Sequence, residues 1–209
     1  MNKIILGANE ARKIAKTVAL CVSTDKTRYY LNGVCLEGTE REGVRAVATD
    51  GHRLANLKLN PLVVKDDKLV PGTAKHEFDV IMPRDAVEWL GKLPRKVTSL
   101  HTVSFEFDKT VLALSFWEWD RLQSTAHFKL IDRNFPDFRR VTPSFPDTVP
   151  CTYLDAKYLM ELCKAAIENN NGMKGEAAIS LYFENHTGPV LLKAQDKSEL
   201  VMVLVPKRM

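Results

Sequence analysis

The sequence predicts an α+β fold: a unit of one helix and antiparallel strands that recurs three times, with the helices on one face of the sheets. The order strand, amphipathic helix, three strands occurs at the start of the chain, again in the middle and again at the C-terminal end. Polar, Gly-bounded segments separate the β-rich runs at hairpin spacing. The repeat is one of element order, with slight identity between copies. One helix covers only one face of a four-stranded sheet. Two units are therefore expected to pair into one domain, residues 1–131, followed by a proline-rich linker, 132–150, and a third unit, 151–209, which is expected to be either a half-domain or a domain completed by another subunit.

In the first unit, Ile4 to Leu6 reads as a short strand and Asn9 as the cap of a helix running to about Val22. Ala11, Ile14, Ala15, Val18 and Ala19 make its apolar face, and the small alanines allow close approach to a sheet. Tyr29 to Leu36 and Val44 to Thr49 are β-rich, with Glu37 to Gly43 as the polar hairpin between them. Asp50-Gly51 is a favoured tight-turn pair, and an extended pattern resumes from His52 to Leu59. Asn60 to Glu77 opens on Pro61 and reads mostly as a connection, with some strand character at Leu62 to Val64.

The second unit begins with a strand at Phe78 to Met82. Pro83 suits a helix start, and the helix runs from Arg84 to Leu93 with Ala86, Val87, Trp89, Leu90 and Leu93 inward, until Pro94 ends it. Val103 to Phe107, Val111 to Trp117 and Arg121 to Leu130 follow as strands. Of Phe116-Trp117-Glu118-Trp119, the expectation is a closed core with one ring exposed. The linker carries Pro136, Pro143, Pro146 and Pro150, which favour a semi-rigid crossing, with Phe135, Phe138 and Val141 as apolar anchors. In the third unit, Cys151 to Tyr153 reads as a strand and Asp155 caps a helix from Ala156 to Glu168, stopped at Asn169 to Gly172. Strands at 178–183, 189–194 and 200–205 follow, with Asn185 to Gly188 joining the first two.

Composition bounds the function. A chain of 209 residues with 45% hydrophobic and 27% charged residues fits a soluble globular protein. No apolar run approaches the roughly 18 residues of a membrane helix, so no membrane partner is expected. The N-terminus, with Glu10, is a poor secretion signal, and a cytoplasmic location is expected. Cys21, Cys35, Cys151 and Cys163 lack metal-ligand spacing and read as buried thiols in a reducing compartment. There is no phosphate-binding loop, dinucleotide fingerprint or metal-spaced histidine set, so neither an enzyme nor a cofactor or metal is expected. A net charge of +4 says little about nucleic acid by itself.

Thr49, Asp50, His52 and Arg53 gather at the second turn. Asp50 and His52 invite a catalytic reading, but no nucleophile with base and orienting group completes it. The plainer reading is that Asp50 and Gly51 make the turn while His52 and Arg53 present polar tips.

Tyr29-Tyr30-Leu31-Asn32-Gly33 followed by Val47-Ala48-Thr49-Asp50-Gly51-His52-Arg53-Leu54-Ala55 resembles the central domain of the bacterial DNA polymerase III beta subunit, the sliding clamp. Val80 to Arg84, Phe135 to Val141 with Pro143, and Val205 to Met209 are similar in the same order. The family protein is a ring subunit of three domains. This chain resembles a shortened form lacking the first domain and part of the last. The resemblance implies clamp-like repeats and a protein with no catalytic step. Such a protein tethers DNA polymerase, or other proteins carrying a clamp-binding peptide, to double-stranded DNA without sequence preference. It also implies self-association up to a ring. The alternative is a non-ring adaptor or inhibitor that binds clamp-interacting proteins or a full-length clamp.

The resemblance further implies a peptide-binding cleft. Leu31, Thr49, Gly51, His52, Arg53 and Leu54 would come from the first domain, Pro143 from the linker, and Tyr158, Val205, Pro206, Lys207, Arg208 and Met209 from the last unit. The family tail resembles Met-Pro-Met-Arg-Leu, so Lys207 puts a charge where an apolar residue is usual. Arg12, Lys13 and Lys16 make the best DNA-facing patch on any helix, whereas Arg84 and Lys92 are offset by Asp85 and Glu88.

Overall fold

The computed structural model describes residues 2–65, 68–72, 77–141, 152–169, 178–183, 188–194 and 201–206. The stop at Asn170 to Gly172, the link at Asn185 to Thr187, Cys151, Pro143, Pro146 and Pro150, and the tail Lys207 to Met209 lie outside them. The chain divides into two compact units, Met1–Phe138 and Arg139–Met209.

The first unit runs β1 (Asn2–Gly7), α1 (Ala8–Lys16), β2 (Gly33–Thr39), β3 (Gly43–Thr49), β4 (Leu54–Leu59), β5 (Leu62–Lys65), β6 (Lys68–Pro71), β7 (Phe78–Pro83), α2 (Arg84–Gly91), β8 (His101–Phe107), β9 (Val111–Glu118) and β10 (Arg121–Lys129). Its strands form two antiparallel sheets, β10-β9-β8-β1-β5-β6 and β4-β3-β2-β7.

The strand that opens each repeat does not stay with its repeat. β1 pairs with β8, Asn2 opposite Phe107 through Gly7 opposite Thr102, and β7 pairs with β2, Val34 opposite Met82. The two repeats therefore exchange strands, and neither is complete alone. β7 lies so near β2 that a Cβ on Gly33 would collide with the Met82 carbonyl. One core results. Ile4, Leu6, Ala11, Ile14, Val34, Leu36, Ala46, Met82, Ala86, Leu90, Val103, Phe105 and Leu114 all belong to it.

Several local expectations are corrected. Asn9 is not the cap: α1 starts at Ala8, after Gly7 and without a side-chain cap. It stops at Lys16, where the Thr17 hydroxyl donates to the Lys13 carbonyl at 2.8 Å, and a 3-10 turn covers Val18–Cys21. A β-branched pair with a back-bonded hydroxyl disfavours a further α turn. Tyr29–Leu31 is a 3-10 turn, not strand, so β2 begins only at Gly33. Local bonds win there over β propensity: the Leu31 amide donates to Arg28 and the Asn32 amide to Tyr29. The connection from Asn60 instead forms the β5–β6 hairpin, with Val63 opposite Val70. α2 ends at Gly91, short of Leu93.

After β10 the chain crosses the outer face of the β2–β3–β7 sheet. Phe135 and Phe138 are buried there against Leu31, Cys35, Val47 and Ile81. Val141 is 72% exposed and anchors nothing. Trp119 is the exposed ring of its motif, at φ +57 in the β9–β10 turn, while Phe116 is buried and the Trp117 indole donates to the Ser104 hydroxyl.

The second unit holds α3 (Ala156–Asn169), β11 (Ile179–Phe183), β12 (Val190–Ala194) and β13 (Val201–Leu204), in a sheet ordered β11-β12-β13. Asp155 caps α3, accepting the Lys157 amide at 2.9 Å and the Tyr158 amide at 3.4 Å. Thr152–Asp155 is not strand, contrary to the expectation at Cys151 to Tyr153. Val190, Leu192, Met202 and Leu204 make its core, with Leu154, Leu159, Leu162 and Ile179 packed against them.

Candidate functional site

The turn between β3 and β4 is held by its own side chains. Asp50 accepts the His52 and Arg53 amides on Oδ1, at 2.9 and 3.0 Å, and the Arg53 Nε on Oδ2 at 2.9 Å. The Thr49 hydroxyl donates to the Arg53 carbonyl at 2.8 Å and accepts the Gly51 amide at 3.1 Å. The His52 amide, then the Arg53 amide, hold the Asp50 carboxyl down to about 2. Asp50 thus grips the His52 main chain and organises the turn, as the plainer reading expects. Gly51 sits at φ +93, a region open to glycine.

A second loop braces this turn from residues that the sequence reading did not single out. Asp25 accepts the Thr27 amide and hydroxyl, at 2.8 and 2.7 Å, and the Arg28 Nε at 2.9 Å. The Thr27 hydroxyl first, and Arg28 next, keep the Asp25 carboxyl well below the carboxylate range. Arg28 Nη1 then lies 2.7 Å from where a Gly51 Cβ would be. The Asp25-Lys26-Thr27 spacing was a legible turn signal; the reach of Arg28 to Gly51 was not.

The expected cleft residues fall as follows. Gly51, His52 and Arg53 are exposed, and Thr49 and Leu54 are half-buried. Leu31 is 4% exposed and belongs to the cluster beneath Phe135 and Phe138, with Leu54 packed against the same cluster. Leu31 therefore supports the turn from below. Tyr158 and Val205 are exposed and Pro206 is half-buried. Pro143, Lys207, Arg208 and Met209 lie outside the described residues.

The helices carry a second surface. α1 and α2 run antiparallel: Arg12 Nη1 donates to the Pro94 carbonyl at 2.6 Å, Ala15 faces Gly91, and Arg84 Nη2 donates to the Ser23 carbonyl at 3.0 Å. A groove of 330 Å³ between them is lined by Ala15, Lys16, Ala19, Arg84, Val87 and Lys92, among others. Lys13 and Lys16 are exposed on α1, and the Arg12 bond joins this helix to the loop that bears exposed Arg95 and Lys96. Neither Arg95 nor Lys96 was singled out, because their nearness to α1 is a tertiary fact. Glu10 turns away, its Oε1 accepting the Asn60 amide and side-chain Nδ2 at 2.8 and 3.0 Å.

The first unit thus pairs a braced, exposed turn beside a small apolar cluster with a helix pair that bears exposed lysines. The family profile described as DNA polymerase III beta subunit, central domain, matches residues 6–137. The chain belongs to the DNA polymerase III beta subunit family, the beta sliding clamps. It is 31% identical over 146 residues to the beta sliding clamp of Caulobacter vibrioides (strain NA1000 / CB15N), covering 68% of this chain and 35% of that one. It is 27% identical over 208 residues to that of Escherichia coli (strain K12), covering 92% and 47%. Among solved structures, the Caulobacter crescentus clamp superposes with a TM-score of 0.71 at 26% identity, covering 99% of this chain and 50% of that one. The Pseudomonas aeruginosa clamp gives 0.73 at 24% identity over the same shares. The chain thus spans about half the length of these relatives, or less.

Proposed function

We propose that this clamp-like protein tethers polymerase, or other proteins carrying a clamp-binding peptide, to duplex DNA, without a catalytic step of its own. The observation that carries the reading is the Arg12–Pro94 bond, which ties α1, with its exposed Lys13 and Lys16, to the loop after α2 that bears exposed Arg95 and Lys96. Mobile lysines and arginines near a duplex neutralise phosphates and read no sequence. Client peptides dock at the Thr49–Leu54 turn, and the protein acts as a self-associated assembly. Fluorescence anisotropy tests it with two duplexes of unrelated sequence. Replacing Lys13, Lys16, Arg95 and Lys96 by Ala weakens both complexes alike and lowers the salt slope by about 0.9 for each phosphate that is no longer neutralised. Arg12 is left in place because it holds the helices together. Unchanged affinity in the variant overturns the DNA-facing assignment. Peptide binding without any DNA association supports the non-ring adaptor instead.

A further inference from the structure

The groove between α1 and α2 has a floor that duplex DNA would leave unused. Ala15 and Ala19 form one side of it, Val87 and Gly91 of α2 the other, with Val22 at one end. Its volume of 330 Å³ is near the lower end of the roughly 300–1,000 Å³ of small-ligand clefts. That is room for one large side chain, with the chain that bears it lying across the opening. Phosphates seek cations and hydrogen-bond donors, not methyl groups.

Gly91 keeps this floor open. It ends α2 without a left-handed φ. A Cβ there would meet only the Ala15 Cβ, at 3.5 Å, which is ordinary contact. Neither backbone nor packing requires glycine at this position, and alanine is the better helix former. The rim is cationic. Lys16, Arg84 and Lys92 border the floor against a single carboxylate, that of Glu88. Among the described residues, none of the three cations is in an ion pair. Arg84 is held by its 3.0 Å bond to the Ser23 carbonyl, whereas Lys16 and Lys92 are exposed.

We propose that the α1–α2 groove is a docking site for an acidic peptide. One large apolar side chain of the peptide enters the floor, and carboxylates on either side of it meet Lys16, Arg84 and Lys92. Charge complementarity selects the occupant. A neutral apolar peptide would leave three cations without partners. A second copy presenting the same helix pair would set like charges against each other. The groove shares no residue with the Thr49–Leu54 turn, so it is separate from the client cleft. The inference does not rest on the DNA-tethering reading.

Fluorescence anisotropy of the full chain with a fluorescein-labelled peptide, Glu-Glu-Phe-Glu-Glu, is the test. The parent is expected to bind it, and to bind the peptide with Ala in place of Phe about tenfold less tightly or worse. Gly91→Leu fills the floor and is expected to lower affinity by about tenfold or more. Lys16→Glu with Lys92→Glu is expected to do the same at low salt, by an amount that shrinks as salt rises. Both lysines are exposed, so this variant keeps the fold, checked by circular dichroism, and decides the matter if Gly91→Leu does not fold. Leu54→Asp is expected to bind the acidic peptide as the parent does. No binding by the parent overturns the proposal. So does equal binding of the two peptides, binding that both groove variants retain, or loss of binding in Leu54→Asp. Duplex affinity that falls as far with Gly91→Leu as peptide affinity does would assign the groove to DNA and overturn it too. Duplex binding by the parent is read separately, so either reading can fail alone.

Discussion

The guanidinium of Arg28 comes so near Gly51 that its Nη1 lies 2.7 Å from where a Cβ would stand. Arg28 is itself tied to Asp25 through Nε at 2.9 Å. Two loops that are separated in sequence thereby meet at one rim. The rim's glycine has two reasons to be glycine, its φ of +93 and its neighbour.

Gly51→Ala is expected to destabilise the first unit by about 1–3 kcal/mol, since a strained backbone and a steric clash act together. Arg28→Ala in the same chain should recover the steric part and leave the backbone part. Urea unfolding of the two single variants and the double variant gives the coupling. Strict additivity would show that the Arg28–Gly51 approach has no energetic role.

The Asp50 carboxyl is depressed from 3.8 to about 2 in the folded turn. Its contribution to stability is therefore present above the unfolded value and is lost as pH falls through roughly 4 to 2. The Gly51, His52 and Arg53 amide resonances should titrate together with a midpoint near that folded value. In Asp50→Asn the titration should vanish. Amide shifts that move with a midpoint near 4 would mean that the turn bonds are not formed in solution.

Phe138→Ala removes a buried ring from the small cluster on the outer face of the β2–β3–β7 sheet. The expected loss is about 3 kcal/mol, the low end for such a truncation because the cluster is small and peripheral. Limited proteolysis should cut near Arg133 and Arg139 sooner than in the parent. Val141→Ala, by contrast, should leave both measurements unchanged, since that side chain is already in water.

For the client peptide, Leu54→Asp should abolish binding, and deletion of Arg208 and Met209 should weaken it by about tenfold or more. Calorimetry with a generic clamp-binding peptide, read beside thermal unfolding, checks both. Leu54 lies at the edge of its cluster, so the fold is expected to survive. Heat from both variants equal to that of the parent would remove the cleft.

Much of the fold could be read from the residues because period and punctuation are local. The alternation of Val103 to Phe107, the helical face of Ala86, Val87 and Leu90, and the Asp50-Gly51 turn each declare themselves within a few residues. Tyr29 to Leu31 misleads because aromatic β propensity is a statement about half-buried sheets, and here a ladder of short-range bonds decides. The exchange of β1 and β7 was out of reach, since a strand's sequence fixes its inward face but not its neighbour. The same holds for Arg95 and Lys96, whose loop meets α1 through the Arg12–Pro94 bond.

The exchange also governs when the protein can fold during synthesis. β1 needs β8, about a hundred residues later in the chain, and β2 needs β7 on its open side. Until the second repeat has left the ribosome, the first has no flanking strand and exposes half its core. Loop closure over that distance makes assembly slow and all-or-none. A nascent chain arrested before Phe107 is therefore expected to be a chaperone client, whereas one a few dozen residues longer holds a finished domain.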